Sequence, residues 1–310
     1  MSLAFVFPGQ GSQSVGMMKA FYDEYEIART LFSQASDALG YDLWAIVSEG
    51  EATELNNTAI TQPAMLTAGY ISWCIWNERQ GKKPDVVAGH SLGEYTALVC
   101  TEALQFTDAV KLVAERGKLM QSAVAEGEGA MAAILGLEDD KVIQACEQAA
   151  NGEVVEAVNF NSPGQVVIAG QKTAVQRAIE KLKETGAKRA LLLPVSVPSH
   201  CKLMIPAAEQ LAQTLSTIEI KSPSIPVIHN VDVATHDNAD EIKTLLTQQL
   251  HNPVRWVETI NSMTSQGVDT IIECGPGKVL TGLCKRIDKD INGLAVFDND
   301  SLAKALETVA

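Results

Sequence analysis

The stretch Val86-Val87-Ala88-Gly89-His90-Ser91-Leu92-Gly93-Glu94 decides the fold that we expect for this chain of 310 residues. It consists of a short apolar run, then the sequence Gly-His-Ser-Leu-Gly, then helix-forming residues. This is the pattern of a serine on a tight turn between a strand and a helix. A side chain at Gly89 or Gly93 would collide with the backbone that such a turn brings close. The N–H groups at the helix start attract negative charge, so Ser91 can act as a nucleophile if a base lies within reach. From this stretch alone, a plain structural turn stays an alternative.

Alternating strand and helix patterns on both sides of this stretch predict an α/β fold. Residues 3–7 form an apolar run that predicts a buried strand, and the glycine-containing loop 8–13 follows it directly. Loops at this position often face a ligand in parallel sheets. The segment 61–63, Thr-Gln-Pro, predicts the start of a long apolar helix, because proline is favoured in a first helical turn. Further strands are predicted at 226–230 and 269–274, so we expect a hydrolase-like large domain with a parallel-sheet core.

The pattern changes at about Gly129 and returns to α/β alternation after residue 197. The predicted elements between these points have the order β-α-β-β-α-β, which is the ferredoxin-like unit. Its strands are predicted at 130–137, 154–160, 165–170 and 188–195, and its helices at 139–150 and 173–185, with a turn at 161–164. We therefore predict a small ferredoxin-like domain over 128–197, inserted into a large domain over 1–127 and 198–310.

Composition and charge exclude several classes of partner. The formal net charge of −14 argues against nucleic acid and anionic membranes, and an acidic protein partner would need a local basic patch. Neither an apolar run of membrane-spanning length nor a signal-peptide pattern occurs, which predicts a cytoplasmic protein. The six cysteines include no C-x-x-C pair and the histidines have no zinc-site spacing, so we expect reduced thiols and no metal.

An arginine lies on the apolar face of the helix predicted to open at residues 106–108. Ala109, Val113 and Met120 form one stripe, and Arg116 falls within that stripe. An inward-facing arginine is costly unless a carboxylate or several carbonyl groups satisfy it. Two interpretations stay open: a structural ion pair, or a site for an anionic substrate group, which a guanidinium binds through two parallel hydrogen bonds.

The base for Ser91 has to be chosen among five histidines. His200 directly follows the last strand of the small domain, at the junction of the two domains, where clefts usually form. The other candidates are His90 inside the turn, His229 at a strand end, His236 in a polar loop, and His251 after a helix. No motif marks an acidic residue as the third member in the hydrolase order Ser…Asp…His, and a backbone or amide carbonyl could orient the imidazole instead.

Eight motifs in order along nearly the whole chain resemble the malonyl-CoA:acyl-carrier-protein transacylases, in particular the stand-alone bacterial type. They are Phe7-Pro8-Gly9-Gln10-Gly11-Ser12-Gln13, Thr61-Gln62-Pro63-Ala64, Gly89-His90-Ser91-Leu92-Gly93-Glu94, Arg116-Gly117, Asn159-Phe160-Asn161-Ser162-Pro163-Gly164-Gln165, Pro198-Ser199-His200, Asn252-Pro253-Val254-Arg255-Trp256 and Glu273-Cys274-Gly275-Pro276-Gly277. So many ordered motifs make a plain structural turn at the serine a poor explanation. His229 departs from the family pattern, in which we expect an asparagine at this position.

The resemblance implies a role for each candidate site residue. Ser91 would be the acylated nucleophile, His200 its general base, and Gln249 the residue whose backbone carbonyl orients His200. The backbone N–H groups of Gln10 and Leu92 would form the oxyanion hole. Arg116 would bind the malonyl carboxylate.

The same resemblance implies a malonyltransferase of fatty-acid biosynthesis that acts on malonyl-CoA and acyl carrier protein. We expect a monomer, although the sequence does not fix the oligomeric state. Such an enzyme needs no cofactor, because the CoA thioester is a substrate. A serine thioesterase or esterase, a malonyl loader of secondary metabolism and a non-catalytic scaffold are the alternatives. Since acyl carrier protein is usually acidic, we expect it to dock on Lys278, Lys285 and Arg286, or as a second choice on Lys188 and Arg189.

Overall fold

A computed structural model describes residues 2–195 and 197–309. Met1, Ser196 and Ala310, which the predicted domain ranges include, lie outside the described residues. In the described part the strands are, in chain order, β1 (Ser2–Phe7), β2 (Val86–Gly89), β3 (Gly129–Leu135), β4 (Val155–Ser162), β5 (Gln165–Gln171), β6 (Arg189–Leu192), β7 (Val227–Ile228), β8 (Val268–Cys274) and β9 (Asn292–Val296).

The helices surround these strands and alternate with them along most of the chain. Those of the described part are α1 (Lys19–Glu24), α2 (Glu26–Leu39), α3 (Leu43–Glu49), α4 (Ala52–Leu55), α5 (Thr58–Glu78), α6 (Leu92–Cys100), α7 (Phe106–Ser122), α8 (Asp139–Ala150), α9 (Lys172–Glu184), α10 (Ile205–Ser216), α11 (Ala239–Gln249), α12 (Trp256–Ser265), α13 (Val279–Ile287) and α14 (Asn299–Val309), with a 3₁₀ turn at Lys202–Met204. Within the described residues, no helix combines the length and apolar character needed to cross a membrane.

The larger sheet is the parallel core that the sequence predicts. It contains five strands in the order β7-β2-β1-β8-β9, and every neighbouring pair is parallel. Leu3, Phe5 and Phe7 of β1 belong to one apolar cluster, whereas Ala4 and Val6 belong to another. Successive side chains of a strand point to opposite faces of the sheet, so the two clusters lie on opposite faces. Helices therefore cover both faces, which explains the continuous apolar run of β1.

The smaller sheet is antiparallel and contains four strands in the order β4-β5-β3-β6. Helices α8 and α9 pack on it through a separate apolar cluster that includes Val142, Ile168 and Leu182. The strands and the two helices follow one another along the chain as in the predicted ferredoxin-like unit, so the predicted fold class is confirmed. The sheet lies between Gly129 and Leu192, within the range predicted for the small domain, and the domain boundaries themselves stay a prediction.

The register of the larger sheet brings two loops together. Phe7 at the end of β1 pairs with Gly89 at the end of β2. In a parallel sheet, loops that follow neighbouring strands meet at the carboxyl edge. The loop after β1 and the Ser91 turn after β2 are therefore adjacent, and α6 starts at this edge.

Several element boundaries differ from those predicted. Helix α5 begins at Thr58 rather than Thr61, because the side chain of Asn57 accepts a hydrogen bond from the Ala59 N–H and caps an earlier start. Part of the predicted turn at 161–164 belongs to β4, since Ser162 still pairs with Gln165. Strand β6 ends at Leu192, and β9, which pairs with β8, was not predicted.

Candidate active site

Ser91 occupies a strained turn between β2 and α6, with φ 51° and ψ −108°. A Cβ atom on Gly89 would lie 1.8 Å from the backbone carbon of Gly93. A Cβ atom on Gly93 would lie 1.9 Å from the carbonyl oxygen of Phe7. Both distances are far inside contact distance, so only glycine fits at these two positions, as expected from the sequence. The strain exposes the Ser91 hydroxyl at the edge of the sheet.

The imidazole of His200 lies against this hydroxyl. Its Nε2 is 2.8 Å from Ser91 Oγ, and its Nδ1 is 2.7 Å from the backbone carbonyl oxygen of Gln249. A carbonyl oxygen only accepts, so the Nδ1–H donates to it and Nε2 is left as the acceptor for the serine proton. This is the tautomer that a general base requires, and it is held without an acidic residue.

The surroundings of His200 keep its ring neutral. The side chain is buried, and its backbone N–H donates to the carbonyl oxygen of Leu250 at 2.9 Å. Burial, followed by the positive charge of Arg116, lowers the pKa of His200 from 6.5 to about 3. A histidine with this pKa is unprotonated at neutral pH and can accept a proton.

Arg116 lies beside the serine and is only 1% exposed. Its Nη1 donates to Gln62 Oε1 at 2.7 Å, and its Nη2 donates to Gln249 Oε1 at 3.0 Å and to Ser91 Oγ at 3.2 Å. Among the described residues no carboxylate forms an ion pair with it, which contradicts the structural ion pair. Burial lowers the pKa of Arg116 from its usual value. The centroid of the Tyr95 ring also lies 5.3 Å from the guanidinium carbon. A buried guanidinium whose hydrogen-bond acceptors are neutral oxygens favours the approach of an anion.

The two residues predicted to form the oxyanion hole belong to the two loops that meet at the edge of the larger sheet. Leu92 is the first residue of α6, and Gln10 lies in the loop after β1. This loop passes close to the turn, because a Cβ atom on Gly9 would lie 2.5 Å from the His90 carbonyl oxygen. No hydrogen bond within the described residues uses the backbone N–H of Gln10 or Leu92. Their role in catalysis stays a prediction.

Sequence reasoning missed two amide side chains of the site. Gln62 holds Arg116 from α5, although only its position in the Thr-Gln-Pro-Ala motif marked it. Asn230 fastens the turn: its Oδ1 accepts from the Ser91 N–H at 2.8 Å, and its Nδ2 donates to the Gly89 carbonyl oxygen at 2.7 Å. Its place at the end of the strand predicted at 226–230 could have indicated it.

The other four histidines form hydrogen bonds with residues other than Ser91. His90 Nε2 is 2.8 Å from Asn161 Oδ1, which connects the turn to the small sheet. His236 contacts Asp232 and Glu241 near the surface, and His251 contacts Asn252. His229 pairs with Glu94 behind the turn. No group of three or more potential metal ligands occurs in the described part of the chain.

Comparison with known proteins finds similarity over almost the whole chain. Residues 4–296 match the family described as "Acyl transferase domain". The malonyl CoA-acyl carrier protein transacylase of Haemophilus influenzae is 59% identical over 296 residues, which is 95% of each chain. A crystal structure of an acyl carrier protein S-malonyltransferase from Vibrio cholerae has a TM-score of 0.96 and 56% identity, covering 98% of this chain and 99% of its own. A malonyl-transacylase in complex with its type II PKS acyl-carrier protein has a TM-score of 0.98 and 53% identity, covering 99% and 100%.

Proposed function

Because the chain belongs to the acyl transferase family, and within it to the malonyl CoA-acyl carrier protein transacylases, we propose that it loads malonyl groups through an ester on Ser91. The donor is malonyl-CoA and the acceptor is the pantetheine thiol of acyl carrier protein, as in fatty-acid biosynthesis. The observation that carries this proposal is Arg116, a buried guanidinium 3.2 Å from Ser91 Oγ that has no carboxylate partner among the described residues. An acyl group that ends in a carboxylate places its charge against this guanidinium while its thioester reaches the serine.

The first half of the reaction acylates the enzyme. Ser91 Oγ attacks the thioester carbonyl carbon while His200 Nε2 takes the hydroxyl proton. The carbonyl oxygen becomes an oxyanion, which the N–H groups of Gln10 and Leu92 would bind, each contributing about 100- to 1,000-fold in rate. The C–S bond then breaks, and the proton on His200 passes to the sulfur of the departing CoA.

The second half reverses these steps with a different thiol. His200 takes the proton of the pantetheine thiol, whose sulfur attacks the ester carbonyl on Ser91. The C–O bond breaks and Ser91 Oγ recovers its proton from His200. No cofactor is proposed, because the CoA thioester supplies an activated acyl group. A monomer is proposed as the active unit.

Intact mass spectrometry tests the proposal in two steps. Incubation with malonyl-CoA alone should add one malonyl group to the enzyme. Addition of holo acyl carrier protein should then remove this group from the enzyme and transfer it to the carrier. An enzyme that never gains mass contradicts the proposal and favours a non-catalytic scaffold. Consumption of malonyl-CoA without a carrier, with no loaded carrier on its addition, favours a thioesterase.

A malonyl loader of secondary metabolism would perform the same chemistry with another carrier. Comparison of kcat/KM for a fatty-acid carrier and for a polyketide carrier separates the two possibilities. We expect the fatty-acid carrier to be preferred. The compartment remains a proposal as well: the six cysteines are free thiols, which supports the reducing cytoplasm.

The pH dependence of acylation follows from the lowered pKa of His200. We expect kcat/KM for malonyl-CoA, which reports the free enzyme, to stay level as the pH falls through 6.5. A base with a lowered pKa remains unprotonated at lower pH, so activity declines only further into the acid range. Replacing Arg116 by methionine removes a positive charge and should move this decline to higher pH, as measured with acetyl-CoA. A decline centred near pH 6.5 in the unchanged enzyme would contradict the lowered pKa of His200.

Carrier docking is proposed at the surface of α13. Lys285 and Arg286 are exposed on this helix. Arg286 Nη1 donates to Gln165 Oε1 of the small sheet at 2.7 Å, so the two charges lie where α13 meets the small sheet. We expect Lys285→Glu together with Arg286→Glu to raise the KM for acyl carrier protein about tenfold at low salt. The rate of Ser91 acylation by malonyl-CoA should stay the same.

The second candidate patch provides the comparison for this prediction. Lys188 and Arg189 are exposed on and beside the edge strand β6. Reversal of these two charges should change the KM for the carrier less than reversal on α13 does. A larger change in the KM for the carrier on reversal of Lys188 and Arg189 would assign the docking site to the small domain instead.

A further inference from the structure

A buried carboxylate, Glu94, lies behind the serine turn and takes no part in the proposed bond changes. Its side chain is fully buried. Its Oε1 is 2.7 Å from Nδ1 of His229, and its Oε2 accepts from the Asn230 backbone N–H at 3.0 Å and from Gln249 Nε2 at 2.9 Å. Burying a carboxylate is costly even when it is hydrogen-bonded, so a hydrophobic residue would serve packing better.

The contact with Gln249 determines which way its side-chain amide points. Turning this amide by 180° would exchange its oxygen and its NH₂ group with little change of shape. Nε2 donates to two acceptors, Glu94 Oε2 and the Ser91 carbonyl oxygen, the latter at 3.0 Å. Oε1 is therefore left to accept from Arg116 Nη2 at 3.0 Å. In the turned amide, NH₂ would face the guanidinium N–H and the oxygen would face the carboxylate.

We propose that Glu94 is a positioning residue for acid selectivity, which fixes the Gln249 amide with its oxygen toward Arg116. Gln62 holds the other end of the guanidinium, so the two amide oxygens together set the plane that the substrate carboxylate meets. His229 donates to Glu94 Oε1 and holds the carboxylate in place. The inference rests on the proposed function, because only an acid-bearing acyl group uses Arg116.

Two replacements of Glu94 test this role through the ratio of kcat/KM for malonyl-CoA to kcat/KM for acetyl-CoA. Glu94→Met keeps the length of the side chain but accepts no comparable hydrogen bond, and should lower the ratio about tenfold. Glu94→Gln keeps an oxygen for the Asn230 and Gln249 donors, and its NH₂ can donate to His229 in the other tautomer. It should therefore keep the ratio within about threefold. A merely structural role would lower both rates alike and leave the ratio unchanged.

Either of two results would overturn the inference. One is an unchanged ratio in Glu94→Met, whatever the loss of thermal stability. The other is an equal fall in Glu94→Gln, which would assign the effect to charge rather than to the amide orientation. If Glu94→Met does not fold, His229→Leu and His229→Asn decide the question. Asparagine keeps an N–H donor for Glu94, so the leucine variant alone should lower the ratio, and equal ratios would overturn the inference.

The unchanged enzyme separates this inference from the proposed function. An enzyme that forms no malonyl adduct refutes the function, and the ratio then has no meaning. An enzyme that forms the adduct and passes it to the carrier, while its Glu94→Met variant keeps the selectivity, refutes only the role of Glu94.

Discussion

Replacing Ser91 by alanine is expected to abolish the malonyl adduct and to lower malonyl transfer by at least about 10,000-fold. The hydroxyl is the only group placed both 2.8 Å from His200 Nε2 and 3.2 Å from Arg116 Nη2, so no other side chain of the described site can replace it. Loss of one hydroxyl from a partly exposed position should leave the free energy of unfolding nearly unchanged. Intact mass after incubation with malonyl-CoA measures the adduct, and carrier loading measures the transfer.

Ser33→Ala is the matched control for this variant. Ser33 is exposed on α2, far along the chain from the turn, and its replacement should leave both the adduct and the transfer unchanged. A malonyl adduct of undiminished amount on Ser91→Ala would show that another residue is acylated. The mechanism derived above would then be wrong, even if the family assignment stands.

Replacing Arg116 by alanine is expected to reverse the preference for acids. Malonyl transfer should fall about 100-fold, because the substrate carboxylate loses its two charge-assisted hydrogen bonds. Acetyl transfer should rise, because acetyl-CoA leaves the buried guanidinium of the unchanged enzyme unpaired, and the variant has no such group. The ratio of kcat/KM for the two CoA esters is the measurement that isolates the carboxylate.

Two further variants make this prediction sharper. Arg116→Lys keeps a positive charge but cannot bind a carboxylate through two parallel hydrogen bonds, so its ratio should lie between those of the other two enzymes. Lys111→Ala removes an exposed cation from the same helix, α7, and should change neither rate. Equal losses on malonyl-CoA and acetyl-CoA in Arg116→Ala would show that Arg116 supports the serine rather than selects the substrate.

Local patterns were enough to predict much of the fold and part of the site. The turn around Ser91 could be predicted because steric collisions at Gly89 and Gly93 arise from backbone a few residues away or from a neighbouring parallel strand. The small domain could be predicted because its strands and helices follow one another in a known order. The burial of Arg116 followed from the spacing of Ala109 and Val113 on one helix face.

The contacts of these residues could not be predicted in the same way. Periodicity indicates which side of a helix is buried, but not which element packs against it. Whether Arg116 meets a carboxylate or an amide therefore stayed open until Gln62 and Gln249 were placed beside it. In the sequence, His229 is a departure from the family pattern with no expected effect on the chemistry. Only its distance to Glu94 connects it to the site.

The sequence by itself determined the serine turn, the class of fold and the inward-facing arginine, because each depends on sterics or burial over a short stretch of chain. Position and the family resemblance predicted His200 as the base, but only the tertiary structure brings it to Ser91, since His200 is 109 positions away and reaches the serine across the junction of the two sheets. The tertiary structure also decided that Arg116 donates its hydrogen bonds to neutral oxygens. That arrangement, made from helices far apart in the chain, leaves a buried positive charge for a substrate carboxylate to pair.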